Sequence, residues 1–289
     1  MNSVRRFRLF GLEIDSQFDL IPQCVEAIAQ ADVKIHSGAV PPFARTSEKD
    51  EFVRLNALGS FHIHAGQEII AALHKDAPVD LLRVFLSGRA MAYLLRQRGW
   101  LPLHASAVEI DGRAILFVAP SGSGKSTTAA AFQNFDYPVL SDDVCPVRVA
   151  AGACWLQPGR PGLRLGEMSA RKFGHLDQGA EFVLDKFDFT FPGAFRPGLV
   201  EVAAIYLLED GAEFRIEPLP PLAAAVALGR ECFVRLPQAG PEVRVSHLRW
   251  SAELACLPLT RRLTRPRDLD QIGKIIDLVV SDLDQSIAA

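Results

Sequence analysis

Up to about residue 76 the chain alternates between apolar and polar positions with a period of two, as in "RFRLFGLEID" and "FVRLNALGSFHIHAGQEIIAAL". Successive side chains of a strand point to opposite faces, so this pattern predicts short, half-buried strands separated by turns. Ala65-Gly66-Gln67 is the expected hairpin tip between "SFHIH" and "EIIAAL". His62 and His64, two apart on such a strand, face one side. Two imidazoles at that spacing are a candidate metal pair, but no third His, Cys or acid is spaced to join them. They are expected to be ordinary strand residues.

The period changes at Asp80. Leu81, Leu82, Phe85, Leu86, Met91, Leu94 and Leu95 recur at spacings of three and four, which predicts a helix to Arg98 with its apolar side in a core. Gly99 follows, as a helix C-terminus often requires. Next, "LPLHASAVEI" and "RAILFVAP" read as strands joined by Asp111-Gly112, a preferred two-residue hairpin turn. Paired residues across that turn sum to 223, which sets His104 opposite Ala119.

Residues 125–134 read as a helix and "YPVLSDDV" as a buried strand. Strand, glycine-rich turn, helix and strand form a mononucleotide-binding unit and imply an α/β sheet. Further on, "RLGEMSARKFG", "LAAAVALGRECFVRL" and "PEVRVSHLRWSAELA" read as helices, and "EVAAIYLLE" as a fully buried strand. "PRDLDQIGKIIDLVVSDL" reads as a C-terminal helix with Pro266 near its start and a stripe of Leu269, Ile272, Ile276 and Val279. The stretch 159–195 is rich in Gly, Pro and Phe and is expected to be a mobile substrate loop. The expected division is a β-rich domain over 1–77 and a catalytic domain over 78–289.

With 49% hydrophobic and 22% charged residues the chain has the composition of an ordinary globular protein. A net charge of −3 and a pI near 6.2 argue against a general nucleic-acid partner. The basic run "RRLTRPR", 261–267, is expected to be solvated surface. Five unpatterned cysteines (Cys24, Cys145, Cys154, Cys232, Cys256) fit a reducing cytosol better than a disulfide framework or a zinc site. The opening segment, broken by Glu13 and Asp15, does not read as a signal peptide. No run approaches the ~20 apolar residues of a membrane span. Cytoplasmic location is the expectation.

"APSGSGKST" carries the candidate chemistry. In a phosphate-binding loop, backbone N–H groups point at the anion, helped by the positive end of the helix that follows. Ser121, Gly122, Ser123, Gly124, Lys125, Ser126 and Thr127 are the expected nucleotide contacts. Lys125 supplies charge to the β and γ phosphates and the Ser126 hydroxyl can ligate Mg²⁺. Ala119 stands where the motif's leading glycine belongs, which alanine can do if its φ is negative. Asp142 and Asp143 end the next strand, where ligands of a parallel α/β sheet bind. As strand neighbours they should face opposite ways and take different roles. We expect Asp142 to be the general base, and Asp143 with Ser126 to hold Mg²⁺. His104, at the mouth of the loop, could donate to phosphate or polarise the base.

"LHASAV", "DGRA", "PSGSGKST" and "LSDDV", in this order and at these spacings, resemble the HPr kinase/phosphorylase-like kinases. The resemblance implies a P-loop, PEP-carboxykinase-like α/β core with a small β-rich N-terminal domain. It implies ATP and Mg²⁺ as cofactors, and functional roles for His104, Asp142 and Asp143. Relatives in this family often assemble, which allows a homo-oligomer. The Glu-Ile-Arg-Gly-Leu-Gly-type run of the bacterial enzymes is replaced by "QPGRPGLRLGEM". Together with "FRLFGLEIDSQFDL" and "RQRGWLPLHASAV", this looks more like the HPr-kinase-related kinases of lasso-peptide gene clusters. That resemblance implies a peptide acceptor, the C-terminal serine of a precursor. Arg160, Arg164 and Lys186 are candidate cations for the transferring phosphoryl group, with Arg164 and Lys186 the preferred two.

Overall fold

The computed structural model describes residues 4–20, 30–42, 46–160, 162–173, 181–191, 196–233 and 239–288. It contains two compact units, Met1–Pro102 with Phe233–Leu248, and Leu103–Cys232 with Arg249–Ala289. The fold is mixed α/β with several sheets. No described helix is long and apolar enough to cross a membrane. Cys24 and residues 161, 174–180 and 192–195 of the expected substrate loop lie outside the described residues.

The first unit is built on six strands: β1 (Arg5–Leu9), β2 (Leu12–Ser16), β3 (Val33–Ser37), β4 (Asp50–Leu55), β5 (Gly59–His64) and β6 (Glu68–Leu73). They form one sheet in the order β1-β2-β3-β6-β5-β4. The alternation read from the sequence sorts its two faces. Phe7, Ile14, Ile35, Phe61, Ile63 and Ile69 are buried, while Arg6, Arg8, Lys34 and His36 remain at least partly exposed. The 65–67 hairpin forms as expected, with Ala65 and Gly66 both at positive φ.

Helix α1 (Val79–Phe85), a π-helical turn (Leu86–Ala90) and α2 (Met91–Gln97) follow, and Gly99 ends them at φ 80°. Their apolar side is core, since Leu86, Met91 and Leu94 are fully buried. Polar clasps tie α2 to the sheet: Gln97 Nε2 donates to the Ile63 carbonyl at 2.9 Å, and its Oε1 accepts from Gly66 N at 2.8 Å. The Phe61 and Phe85 rings meet at 4.5 Å. These contacts explain why the unit continues to residue 102, past the boundary at 77 expected from the change of pattern.

In the second unit β7 (Leu101–Ile110) and β8 (Arg113–Val118) form the expected hairpin. Asp111 and Gly112 both have positive φ, and register runs from Ile110↔Arg113 to Ala105↔Val118, summing to 223 throughout. After α3 (Lys125–Gln133) come β9 (Val139–Ala150), β10 (Ala153–Leu156), β11 (Gly162–Leu165), α4 (Glu167–Lys172), β12 (Glu181–Val183) and β13 (Lys186–Thr190). The remainder is β14 (Val200–Asp210), β15 (Arg215–Pro218), α5 (Pro221–Arg230), the part of α6 (Pro241–Ala255) that follows Leu248, β16 (Thr260–Arg265) and α7 (Gly273–Ala288). The main sheet runs β10-β9-β7-β8-β14-β16-β15, and β10 also pairs with β14, so five of its strands close on themselves. Closure removes free edges. Ala129, Ala130, Ala131 and Phe132 of α3 share one core with Phe117, Tyr206 and the α7 residues Ile275, Ile276 and Val279. Three consecutive alanines leave little side-chain bulk between α3 and its neighbours.

Several sequence expectations are corrected. The 159–195 stretch is not one loop among its described residues, because β11, β13 and β12 make a three-stranded sheet with α4 beside them in sequence. Arg164 and Leu165 belong to β11, so the helix expected from 164 begins at Glu167. The C-terminal helix begins at Gly273, after a separate 3-10 turn at Leu269–Gln271 capped by the Asp268 carboxylate. The basic run 261–267 is largely strand β16, hydrogen-bonded between β14 and β15. Its charges are matched: Arg261 to Asp282, Arg262 to Glu209, and Arg265 to Asp210.

Candidate active site

The turn between β8 and α3 and the first turn of α3 hold the residues expected to contact phosphate. Gly122 and Gly124 have φ of 80° and 89°, values that strain any residue with a Cβ. At Gly122 a Cβ would meet nothing within 4 Å, so the requirement there is conformational. At Gly124 a Cβ would also lie 2.9 Å from Arg265 Nη2. Ala119 is not among the residues with positive φ, so the position can dispense with glycine. Lys125, only 6% exposed, donates to the carbonyls of Ala119 at 2.6 Å and Pro120 at 3.2 Å. Burial pushes its pKa down, against the pull of Asp142. A buried ammonium held by two loop carbonyls is ready to exchange them for a phosphate oxygen.

Strand alternation should have sent Asp142 and Asp143 apart. Instead Asp143 sits at φ 73°, which breaks the alternation of β9, and both acids line one cavity. The neighbouring turn of backbone is held by Ser141, whose hydroxyl donates to the Val144 carbonyl at 2.7 Å. The two carboxylates then differ sharply. Asp142 accepts from Ser106 Oγ at 2.5 Å, from Ser126 Oγ at 2.9 Å and from the Arg164 backbone N–H at 3.0 Å. Asp143 is 43% exposed and stands 3.5 Å from His104 Nδ1. Burial, then the Lys125 charge, lowers the pKa of His104, which favours the neutral imidazole.

The cavity has a volume of about 290 Å³. It gathers His104, Ser121, Gly122, Gly124, Lys125, Ser126, Thr127, Asp142, Asp143, Arg164 and Lys186, the residues singled out from sequence except Ser123 and Arg160. Lys186 arrives on β13 just after a tight turn in which Leu184 and Asp185 have positive φ. The Arg164 guanidinium reaches the Val183 carbonyl at 3.1 Å and lies 3.8 Å from Asp188. Arg160 pairs with Asp188 and Thr190 instead of entering the cavity. Those contacts tether it to β13.

Ser106, Ser169 and Glu231 escaped the sequence reading. Ser106 was findable, since it lies two residues from His104 on β7 and so faces the same side. Ser169 meets Thr127 Oγ1 at 2.9 Å, and nothing in "GEMSARK" announces it. The pKa of Glu231 is raised by burial, against the pull of Lys125, and its backbone carbonyl accepts from the His104 backbone N–H at 2.7 Å. A second cavity of about 240 Å³ shares Gly122, Gly124, Thr127 and Ser169 with the first. Met168, Leu269, Ile272 and Ile275 give it an apolar lining, and Arg265 and Arg267 a basic one. Arg265 also donates to the Ser123 carbonyl, so the basic run braces the glycine turn before α3.

The donor set suits a hard cation. Ser126 Oγ and Asp142 Oδ1 present oxygen ligands 2.9 Å apart beside Lys125, the kind of pair that binds Mg²⁺ together with phosphate oxygens.

No protein-family model matches this chain, and no curated protein sequence matches it. Among solved structures, the chain is similar to the HPr(Ser) kinase/phosphatase from Coxiella burnetii, with a TM-score of 0.36 and 13% identity. That alignment covers 65% of this chain and 99% of the other.

Proposed function

We propose that this protein is an ATP-dependent kinase that phosphorylates the hydroxyl of a serine in a peptide, the C-terminal serine of a lasso-peptide precursor. The observation that carries the reading is the convergence of a glycine-shaped phosphate loop, a buried lysine and two unlike carboxylates on one cavity. The acceptor class rests on the sequence resemblance described above. In this reading the triphosphate lies in the first cavity along Gly122–Thr127, and the nucleoside in the second, against Met168, Leu269 and Ile272.

The two aspartates exchange the roles expected from sequence. Asp142, bonded to the Ser126 hydroxyl, is the acid suited to the metal side. Asp143, exposed and beside a neutral histidine, is the acid suited to take a proton. Bound Mg²⁺ would supply charge neutralisation at the β and γ phosphates. The serine Oγ attacks the γ-phosphorus as the bond to the bridging oxygen breaks. Its proton goes to the Asp143 carboxylate, and ADP leaves. Lys125 and Lys186 place positive charge around the transferring group. His104 stands beside Asp143, 3.5 Å away.

The test is transfer of labelled γ-phosphate from ATP to serine-ended precursor peptides, comparing wild type with Asp143→Asn and Asp142→Asn. Phosphoserine formed by wild type and nearly abolished by Asp143→Asn, with ATP still bound, is the expected result. Equal transfer by wild type and Asp143→Asn would remove the assigned base. ATP binding without transfer to any peptide would favour a nucleotide sensor. Transfer to a folded carrier protein alone, reversed by inorganic phosphate, would favour a kinase/phosphorylase.

A further inference from the structure

The sheet of the first unit carries chemistry that phosphoryl transfer does not use. Strands β4 and β5 pair in antiparallel register, Asp50 opposite His64 and Phe52 opposite His62. The acid that seemed to be missing from the His62/His64 pair is therefore supplied across the hairpin. Asp50 Oδ1 accepts from His62 Nε2 at 2.9 Å and from His64 Nδ1 at 2.8 Å. Ligand atoms of the three residues all lie within 4.8 Å of one another. His62 stacks flat on Phe52, with ring centroids 4.5 Å apart, so its orientation is fixed before anything binds.

We propose that Asp50, His62 and His64 form a binding site for a divalent transition-metal cation of the zinc class. Two imidazoles and one carboxylate are a donor set that such ions take with a position left for water. At metal–ligand bonds of roughly 2.1 Å, tetrahedral ligand atoms stand about 3.4 Å apart, close to the present spacing. His64 is 45% exposed and can supply the remaining movement by rotating, while His62 and the hairpin backbone stay in place. In the cation-free arrangement one carboxylate oxygen gathers an N–H from each ring. The cation takes the place of those two hydrogens and bonds all three groups at once.

One feature limits the affinity. Coordination through Nε2 moves the His62 proton to Nδ1, which is buried and has no hydrogen-bond partner. Metal-bound histidines normally donate that N–H to an acceptor, and losing such a partner weakens binding 10–100-fold. The site is therefore an exchangeable one, with a Kd of ~1–10 µM rather than the far tighter binding of a closed structural zinc site. Its consequence is local: a bound cation cross-links β4 to β5.

The experiment uses the full chain stripped by chelator and titrated with Zn²⁺ alone, beside His64→Gln and Asp50→Asn variants. A second arm replaces Zn²⁺ with Co²⁺ and reads its visible absorption, which is intense in four-coordinate sites and weak in octahedral ones. The expected result is one Zn²⁺ site at micromolar concentration, weakened at least tenfold in either variant, with an intense Co²⁺ spectrum in wild type. A wild-type chain with no micromolar site, a variant within tenfold of wild type, or a weak octahedral Co²⁺ spectrum would each overturn the proposal. If the variants fold poorly, the Co²⁺ spectrum of the wild-type chain decides alone.

Discussion

Among the described residues histidine meets aspartate in two places, and the two meetings are built differently. On the β4–β5 hairpin Asp50 accepts from two imidazoles at 2.8 and 2.9 Å, on strands in regular register. At the end of β9, Asp143 stands 3.5 Å from a single imidazole, at φ 73° and with a buried lysine nearby. The first arrangement satisfies its carboxylate. The second leaves an acid with spare capacity on a strained backbone, a combination that persists only where surrounding structure enforces it and that clusters at functional sites. Asp142 shows the same contrast within one dipeptide, saturated by three donors while its neighbour is open.

Removing the open acid should have the largest effect. Asp143→Asn should lower kcat for peptide phosphorylation by a factor of ~10²–10⁴, the usual contribution of a positioned general base. ATP affinity, read by calorimetry, should change far less. Asp142→Asn should instead weaken Mg²⁺-dependent ATP binding, since that side chain organises Ser126 and the Arg164 backbone. If the two variants show the same profile, the division of labour between the acids is wrong.

Gly124→Ala comes next. It forces a Cβ into a φ of 89° and to within 2.9 Å of Arg265 Nη2, at a cost of about 1–3 kcal/mol. Thermal unfolding should report that loss together with weaker nucleotide binding. On the saturated side, Asp50→Asn replaces a charged acceptor shared by two rings with a neutral amide, and should cost about 1–2 kcal/mol in denaturant unfolding.

The smallest effect concerns pH. His104 has a lowered folded-state pKa, so in the unfolded chain it binds its proton first, near its ordinary value of 6.5. The His104 contribution to stability should then fall as pH drops below about 6.5 and continue to fall until its folded-state value is passed. His104→Gln should flatten the pH dependence of the unfolding free energy over that interval and leave its slope unchanged above pH 7.5. An equal slope in both proteins would contradict the burial assigned to this imidazole.

What the sequence disclosed follows from the range of each interaction. The 111–112 hairpin, its register and the glycine turn before α3 are set by residues within a few positions of one another, and turn chemistry and residue spacing reveal them. Gly99 likewise marks its helix end. What stayed hidden depends on pairing across the fold. Asp50 joins His62 and His64 only once β4 and β5 align. The 261–267 arginines look solvated until β16 takes its place between β14 and β15, where Asp210, Glu209 and Asp282 meet them. Asp143 was expected to point away from Asp142, because alternation is the default of a strand and a single left-handed residue cannot be read from "LSDDV".

The reading of the second unit depends first on whether the loop after Val118 receives a triphosphate. Titration of the full chain with ATP in the presence of Mg²⁺, beside Lys125→Ala, tests this most directly. One ATP bound per chain, with affinity falling roughly 10- to 100-fold when the charge-assisted contact of Lys125 is removed, is the predicted result. No heat of binding in wild type, or equal affinity in the two proteins, would contradict it.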